Sequence, residues 1–185
     1  MSKDKMRKVE MNLYVNLQGI IEFNANLGES GPWGSYTEPF DAVQFMTIDS
    51  GAPNLEPLDG IPTFPGNSKV SIRIQPSNMD QDDYSFMVEH VRLDLIGPRE
   101  FVRSSPKRLW EDVLDLEKSQ GAIGSEGNFF LGQTDDERRF DIITSPALTK
   151  LSYNVLYVVC FSIKLNGYIK YCIIDPLIRT SSGNR

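Results

Sequence analysis

"SYNVLYVVCFSIKLNGYIKYCIIDPLIRT", residues 152–180, decides the fold. Its first half is apolar at odd and even positions alike. That is the pattern of a strand covered on both faces, not of one that alternates between core and water. Asn166-Gly167 follows, the dipeptide favoured by a two-residue type I′ turn, in which both residues take positive φ. A second apolar run, Tyr168 to Ile174, closes the hairpin. With 166–167 as the loop, Cys160 faces Ile173 and Cys172 faces Phe161. Successive strand residues alternate faces, so the two cysteines point to opposite sides and cannot bridge each other. Asp175-Pro176 ends the strand, because proline has no amide donor and holds the residue before it extended. "LIRT" is expected to resume pairing past that corner.

Upstream, odd positions Val9, Met11, Leu13, Val15, Leu17, Gly19, Ile21, Phe23, Ala25 and Leu27 alternate with polar Asn12, Asn16, Gln18, Glu22 and Asn24. Period two predicts one half-buried strand, with Gly19 marking a bulge, bend or turn midway. Residues 28–67 are dense in Gly, Pro, Ser and Asp, the vocabulary of loops, with a short strand in "AVQFMTI". Val70, Ile72 and Ile74 alternate in "KVSIRIQP", which Pro76 is expected to end. In "DYSFMVEHVRLDLIGP" the apolar phase shifts from Tyr84, Phe86 and Val88 to Val91, Leu93 and Leu95. A one-residue phase change flips every side chain, so a β-bulge is predicted near Glu89-His90. Asn128 to Leu131 and "RRFDIIT" read as further strands. One helix is predicted in "SSPKRLWEDVLDLEKSQG", where Leu109, Trp110, Val113, Leu114 and Leu116 fall near helical spacing. Ser105 is its candidate cap, Pro106 suits the first turn, and Gly121 lies past the end.

The sum is an all-β single domain over 1–185, a β-sandwich with one short helix, with 1–8 and 181–185 as flexible tails. At 185 residues the chain has the usual size of one domain. Its net charge is −6, from 25 acidic and 19 basic residues, and the basic cluster "MSKDKMRK" sits at the very start. That balance argues against nucleic acid as a partner. No apolar run approaches the roughly 18–20 residues of a membrane span, and no apolar signal stretch follows the first charges. A cytoplasmic protein with no membrane partner is the expectation.

Catalytic chemistry finds little footing. The one histidine, His90, falls inside a predicted strand, where a hydrogen-bonded or surface role is the simpler reading. No nucleophile elbow, phosphate loop, dinucleotide fingerprint or zinc-protease pair is present. Cys160 and Cys172 lie in apolar strands that keep a thiol protonated. The expectation is a protein that is not an enzyme, with no catalytic residue and no metal or cofactor assigned. Two acidic loops, one with Asp80, Asp82 and Asp83 and one with Asp135, Asp136 and Glu137, are candidates for Ca²⁺. Neither fits the EF-hand spacing, and solvated turns are the simpler reading. The loop "GPWGSYTEPF" sets Trp33 and Tyr36 among small residues, where aromatic faces can stack on a sugar. The candidate sugar-binding set is Trp33, Tyr36, Asp82 and Asp83. The competing reading has Trp33 folding back to plug the sandwich.

The stretch "YVVCFSIKLNGYIKYCIIDPLI" resembles the end of the bacterial inclusion-body protein family, the PixA-like proteins, and of relatives named for Asp-Pro motifs. Asp175-Pro176 is the most specific part, and the preceding "FDIITSPALTKLSYN" fits the same layout. The resemblance implies a jelly-roll β-sandwich, accumulation as dense inclusions in the cytoplasm, and a lectin-like capacity to bind sugars. It leads to two expected functions. The first is a self-associating inclusion-body protein, a homodimer or higher assembly. The second is a carbohydrate-binding module, with or without calcium, whose partners are glycans.

Overall fold

The computed structural model describes residues 6–27, 31–34, 38–50, 63–77, 84–95, 106–136, 138–146, 153–174 and 177–181. Asp175-Pro176, the first acidic loop, Tyr36 and the candidate cap Ser105 lie outside these. The strands are β1 (Arg7–Asn16), β2 (Phe40–Asp41), β3 (Met46–Ser50), β4 (Thr63–Pro65), β5 (Ser68–Ser77) and β6 (Tyr84–Leu95). They continue with β7 (Gly121–Ile123), β8 (Phe129–Leu131), β9 (Arg139–Ile143), β10 (Tyr153–Leu165), β11 (Tyr168–Ile174) and β12 (Leu177–Ser181). Helix α1 spans Leu17–Ala25 and α2 spans Pro106–Val113, and Val43–Phe45 forms a 3₁₀ turn.

The strands form two sheets. Sheet 1 runs β3-β1-β5-β9, and sheet 2 runs β2-β11-β10-β6-β8-β7, with β12 pairing β10 and β4. Odd residues of β1 and even residues of β5 meet the inward residues of β6, β10 and β11 in one buried cluster. Fully buried Met11, Ile72, Phe140 and Phe161 lie at its centre. The sandwich expected from the sequence is there. Three of its pairings, β1–β5, β2–β11 and β4–β12, are parallel, beyond the antiparallel ladders of a jelly roll.

The terminal hairpin follows the register set by its turn. Cys160 pairs Ile173 and Phe161 pairs Cys172, and Asn166 and Gly167 take φ of 50° and 83°. Both cysteines are free. β12 resumes pairing with the start of β10, Leu156 opposite Leu177. On the other side of β10, Cys160 pairs His90 while Phe161 pairs Val88, which leaves Glu89 as the extra residue of a bulge. That is where the phase change in the sequence put it.

Three expectations are corrected. The long alternation from Val9 is a strand only to Asn16, and then a helix, so the described residues hold a second helix beside the one expected. Asn16 caps α1 by accepting the Gly19 amide at 2.9 Å. Leu17, Ile20, Ile21 and Asn24 form its buried stripe, a helical spacing hidden inside the two-residue alternation. A Cβ on Gly19 would come within 2.9 Å of both the Asn16 side chain and Phe45, so close approach explains this glycine. Pro76 does not end β5, which runs to Ser77 with Pro76 opposite Val15. The Ile74 amide points at Arg138 on the β9 side, and residues two apart point the same way. The missing amide of Pro76 therefore falls just past the end of β9, where no ladder bond is lost. Finally, β1 begins at Arg7, inside the stretch expected as a tail.

Helix α2 stops at Val113, short of the predicted end, because the chain after it joins sheet 1. Leu114 bridges Thr144, the Asp115 amide donates to Ile143, and the Ser119 hydroxyl donates to the same carbonyl. Trp110 is fully buried, its indole donating to the Gly127 carbonyl at 2.8 Å.

Candidate functional site

Strands that bury one face must do something with the other, and the two sheets differ. Sheet 1 turns Glu10, Asn12 and Tyr14 of β1, Ser71, Arg73 and Gln75 of β5, and Arg139 and Asp141 of β9 outward. Glu10, Asn12, Ser71, Arg73 and Arg139 line a depression of about 200 Å³. Arg73 and Arg139 sit directly opposite each other, an arrangement of like charges that costs stability on its own. Carboxylates offset it. Arg73 pairs with Asp136 at 3.2 Å and Arg139 with Asp141 at 3.1 Å, and Lys69 reaches Asp141 at 2.8 Å. Burial alone would raise the Asp141 carboxyl, but hydrogen bonds from Lys69, Ser71 and Arg139 outweigh it and hold the group below its usual range. The depression offers guanidinium donors beside Asn12 and Glu10 acceptors, which suits a small polyhydroxylated or carboxylated ligand.

Sheet 2 faces outward differently. Ser162 and Met87 share a row with Tyr171, Lys164 with Ile169, and Arg92 with Val158 and Phe130. Met87 is 55% exposed, Ile169 53%, Tyr171 57% and Phe130 37%. His90 lies among them, its ring 5.7 Å from that of Phe130. Burial, and then the positive charge of Arg92, push its pKa below the ordinary histidine value, so it is neutral at pH 7. The Ser162 hydroxyl donates to Glu89 at 2.6 Å, and Arg92 pairs with Asp94 at 3.2 Å. Burial raises the pKa of Cys160 and takes that of Cys172 to about 12, so both thiols are protonated.

The sugar-binding set of the sequence is not brought together among the described residues. Trp33 is 5% exposed and part of the core, with its indole nitrogen buried and unpartnered. That is the placement of a plug, and it offers no open ring face for stacking. Tyr36, Asp82 and Asp83 lie outside the described residues. In the second acidic loop, Asp136 is taken up by Arg73. No cluster of His, Cys, Asp or Glu suited to a metal occurs among the described residues.

Sequence reasoning missed two features. Lys170 sits on the inward parity of β11, 3% exposed, and donates to the Glu38 carbonyl at 3.0 Å. Burial lowers its pKa. The apolar outward face of sheet 2 was also missed, although "YIKYCII" carries its signal in being apolar on both parities.

The chain resembles a known structure over nearly its whole length. The crystal structure of the inclusion body protein PixA from Burkholderia cenocepacia J2315 superposes with a TM-score of 0.50. The match covers 98% of this chain and 98% of that chain, at 8% sequence identity. The likeness shows the fold. No family model matches the sequence, and no curated protein matches it. No described helix is long and apolar enough to cross a membrane.

Proposed function

We propose that this chain is a non-enzymatic, self-associating protein that accumulates as cytoplasmic inclusions. The observation that carries the reading is the end-to-end likeness to an inclusion body protein, which covers 98% of each chain. The protonated thiols add support, since neither is poised as a nucleophile. Sedimentation equilibrium at neutral pH is the test, with dimers or larger species expected. Moving pH away from the pI near 4.9 adds like charge and weakens association. Salt restores it, because the Debye length falls to about 3 Å at 1 M. A strict monomer at millimolar concentration sinks the reading.

Carbohydrate binding is the second reading, and one observation favours it: the polar depression on sheet 1, with donors and acceptors converging from three strands. A glycan array with and without calcium tests it. Arg73→Ala is expected to remove the signal while leaving melting nearly unchanged, and an array with no bound glycan disposes of this reading.

A further inference from the structure

Self-association needs a surface, and the two outward faces are unequal candidates. Sheet 1 is occupied by its own charges: stacking a second copy on it would desolvate Lys69, Arg73, Arg139, Asp136 and Asp141, ion pairs that burial does not repay. Sheet 2 instead exposes Met87, Phe130, Ile169 and Tyr171, each more than a third accessible, around half-buried Cys160 and His90. Aromatic residues and Met are the types enriched in protein interfaces.

We propose that the outward face of β11, β10, β6 and β8 is the contact between copies of this chain, stacked about a two-fold axis that runs across the strands. The inference rests on the self-association reading and says where the contact lies. Charge and area both point to a second copy as the occupant. The chain as a whole carries −6, so copies repel unless they meet where charge is balanced. On this face Arg92 pairs with Asp94, and the remaining charges of Glu89 and Lys164 are equal and opposite without touching each other. Lys164 lies towards the Asn166-Gly167 turn, and Glu89 lies further along, at the bulge. A two-fold axis across the strands reverses their direction in the second copy, so each Lys164 approaches the other copy's Glu89. Stacking in the same direction sets Lys164 over Lys164.

Strand spacing of ~4.8 Å and a rise of ~3.4 Å per residue give the face roughly 400 Å² in plan. Upright side chains expose more than their plan area, so two stacked copies remove on the order of 1,000 Å² from water, the lower bound for a specific interface. The contact is therefore weak and concentration-dependent, which suits a protein that associates only where it is abundant.

The test is sedimentation equilibrium of the full chain with three variants, each checked by thermal melting. Met87→Lys with Tyr171→Lys is expected to weaken association at least tenfold, with melting nearly unchanged. Glu89→Lys and Lys164→Glu are each expected to weaken self-association several-fold. Mixing those two is expected to restore heterodimers, because each lysine-rich face then meets a glutamate-rich one. A wild-type protein that associates while all three variants associate equally overturns this interface and leaves the self-association reading standing. A wild-type monomer overturns both. A large drop in melting temperature for the Met87, Tyr171 double variant, with association intact, also overturns it, since the chain's own segments would then cover this face.

Discussion

Sheet 1 turns Glu10, Asn12, Arg73, Arg139 and Asp141 to solvent, and sheet 2 turns Met87, Phe130, Ile169 and Tyr171. Both sheets have the same inner alternation and feed the same core. What separates them is how the outer parity is satisfied: by cross-strand ion pairs on one side and by exposed apolar side chains around buried Val158 and Ser162 on the other. A sandwich needs only its inner faces to fold, so the outer faces are free to specialise. The two proposals follow this contrast, with small-ligand chemistry proposed for one face and contact between copies for the other.

The comparison presumes a common core, and its largest test strikes there. Phe161 is fully buried, with its ring 5.2 Å from Phe86. Phe161→Ala is expected to cost about 3–5 kcal/mol by chemical denaturation. Unchanged melting would mean that the two sheets do not share the packing described. Trp33→Ala comes next, at about 3 kcal/mol, because it empties a core position. A Trp33 variant with native melting and lost glycan binding would instead restore that loop as a site and shift ligand chemistry away from sheet 1.

Smaller effects separate the faces by pH and salt. Asp141→Asn removes the partner of Lys69 and Arg139, and is expected to cost about 1 kcal/mol at low salt and less at high salt. The Asp141 carboxyl is held below its usual range when folded, so its contribution is present above the unfolded value and lost as pH falls through the lower folded one. Sheet 1 therefore loosens below about pH 4. His90 is also depressed, but as a base. Its contribution is complete above about pH 6.5 and declines as pH falls, because the unfolded imidazole takes up its proton first. Melting followed from pH 7.5 to 5 is expected to slope downward in the wild type and less in His90→Gln. Equal slopes would place the ring in water. The smallest expected effect is none: thiol reductant leaves melting unchanged, because both cysteines are free.

The terminal hairpin was legible because its signals are local. Asn166-Gly167 fixes the turn, the turn fixes the register, and the register places each cysteine. The bulge was legible for the same reason, as a phase change inside one strand. Helix α1 was not, since "LQGIIEFNA" satisfies period two and period 3.6 together, and only the Asn16 cap and the packing of Gly19 against Phe45 decide between them. Pro76 misled because its tolerance depends on where a distant strand, β9, happens to end. The parallel pairing of β1 with β5 spans some sixty residues of intervening chain and leaves no local trace. The sheet 1 depression gathers residues from three separate strands, so no spacing in the sequence announces it. Trp33 stayed open between a binding residue and a plug, because small, turn-forming neighbours suit exposed and buried aromatics alike.

The extra residue at Glu89 has a consequence for the strand pair that carries it. A regular ladder can slide by two residues and still keep its apolar side chains inward, which makes long antiparallel strands prone to misalignment. β6 and β10 cannot slide in this way. The kink at Glu89 meets the Cys160–Phe161 step, where the Ser162 hydroxyl donates to the Glu89 carboxylate at 2.6 Å, and any other alignment would lose that bond. The bulge thus works as an index notch, admitting one alignment of the two longest strands in sheet 2. Pairing β6 regularly straight through Glu89 would erase the notch and also reverse the facing of every residue on one side of it, from Val91 to Leu95 or from Tyr84 to Val88.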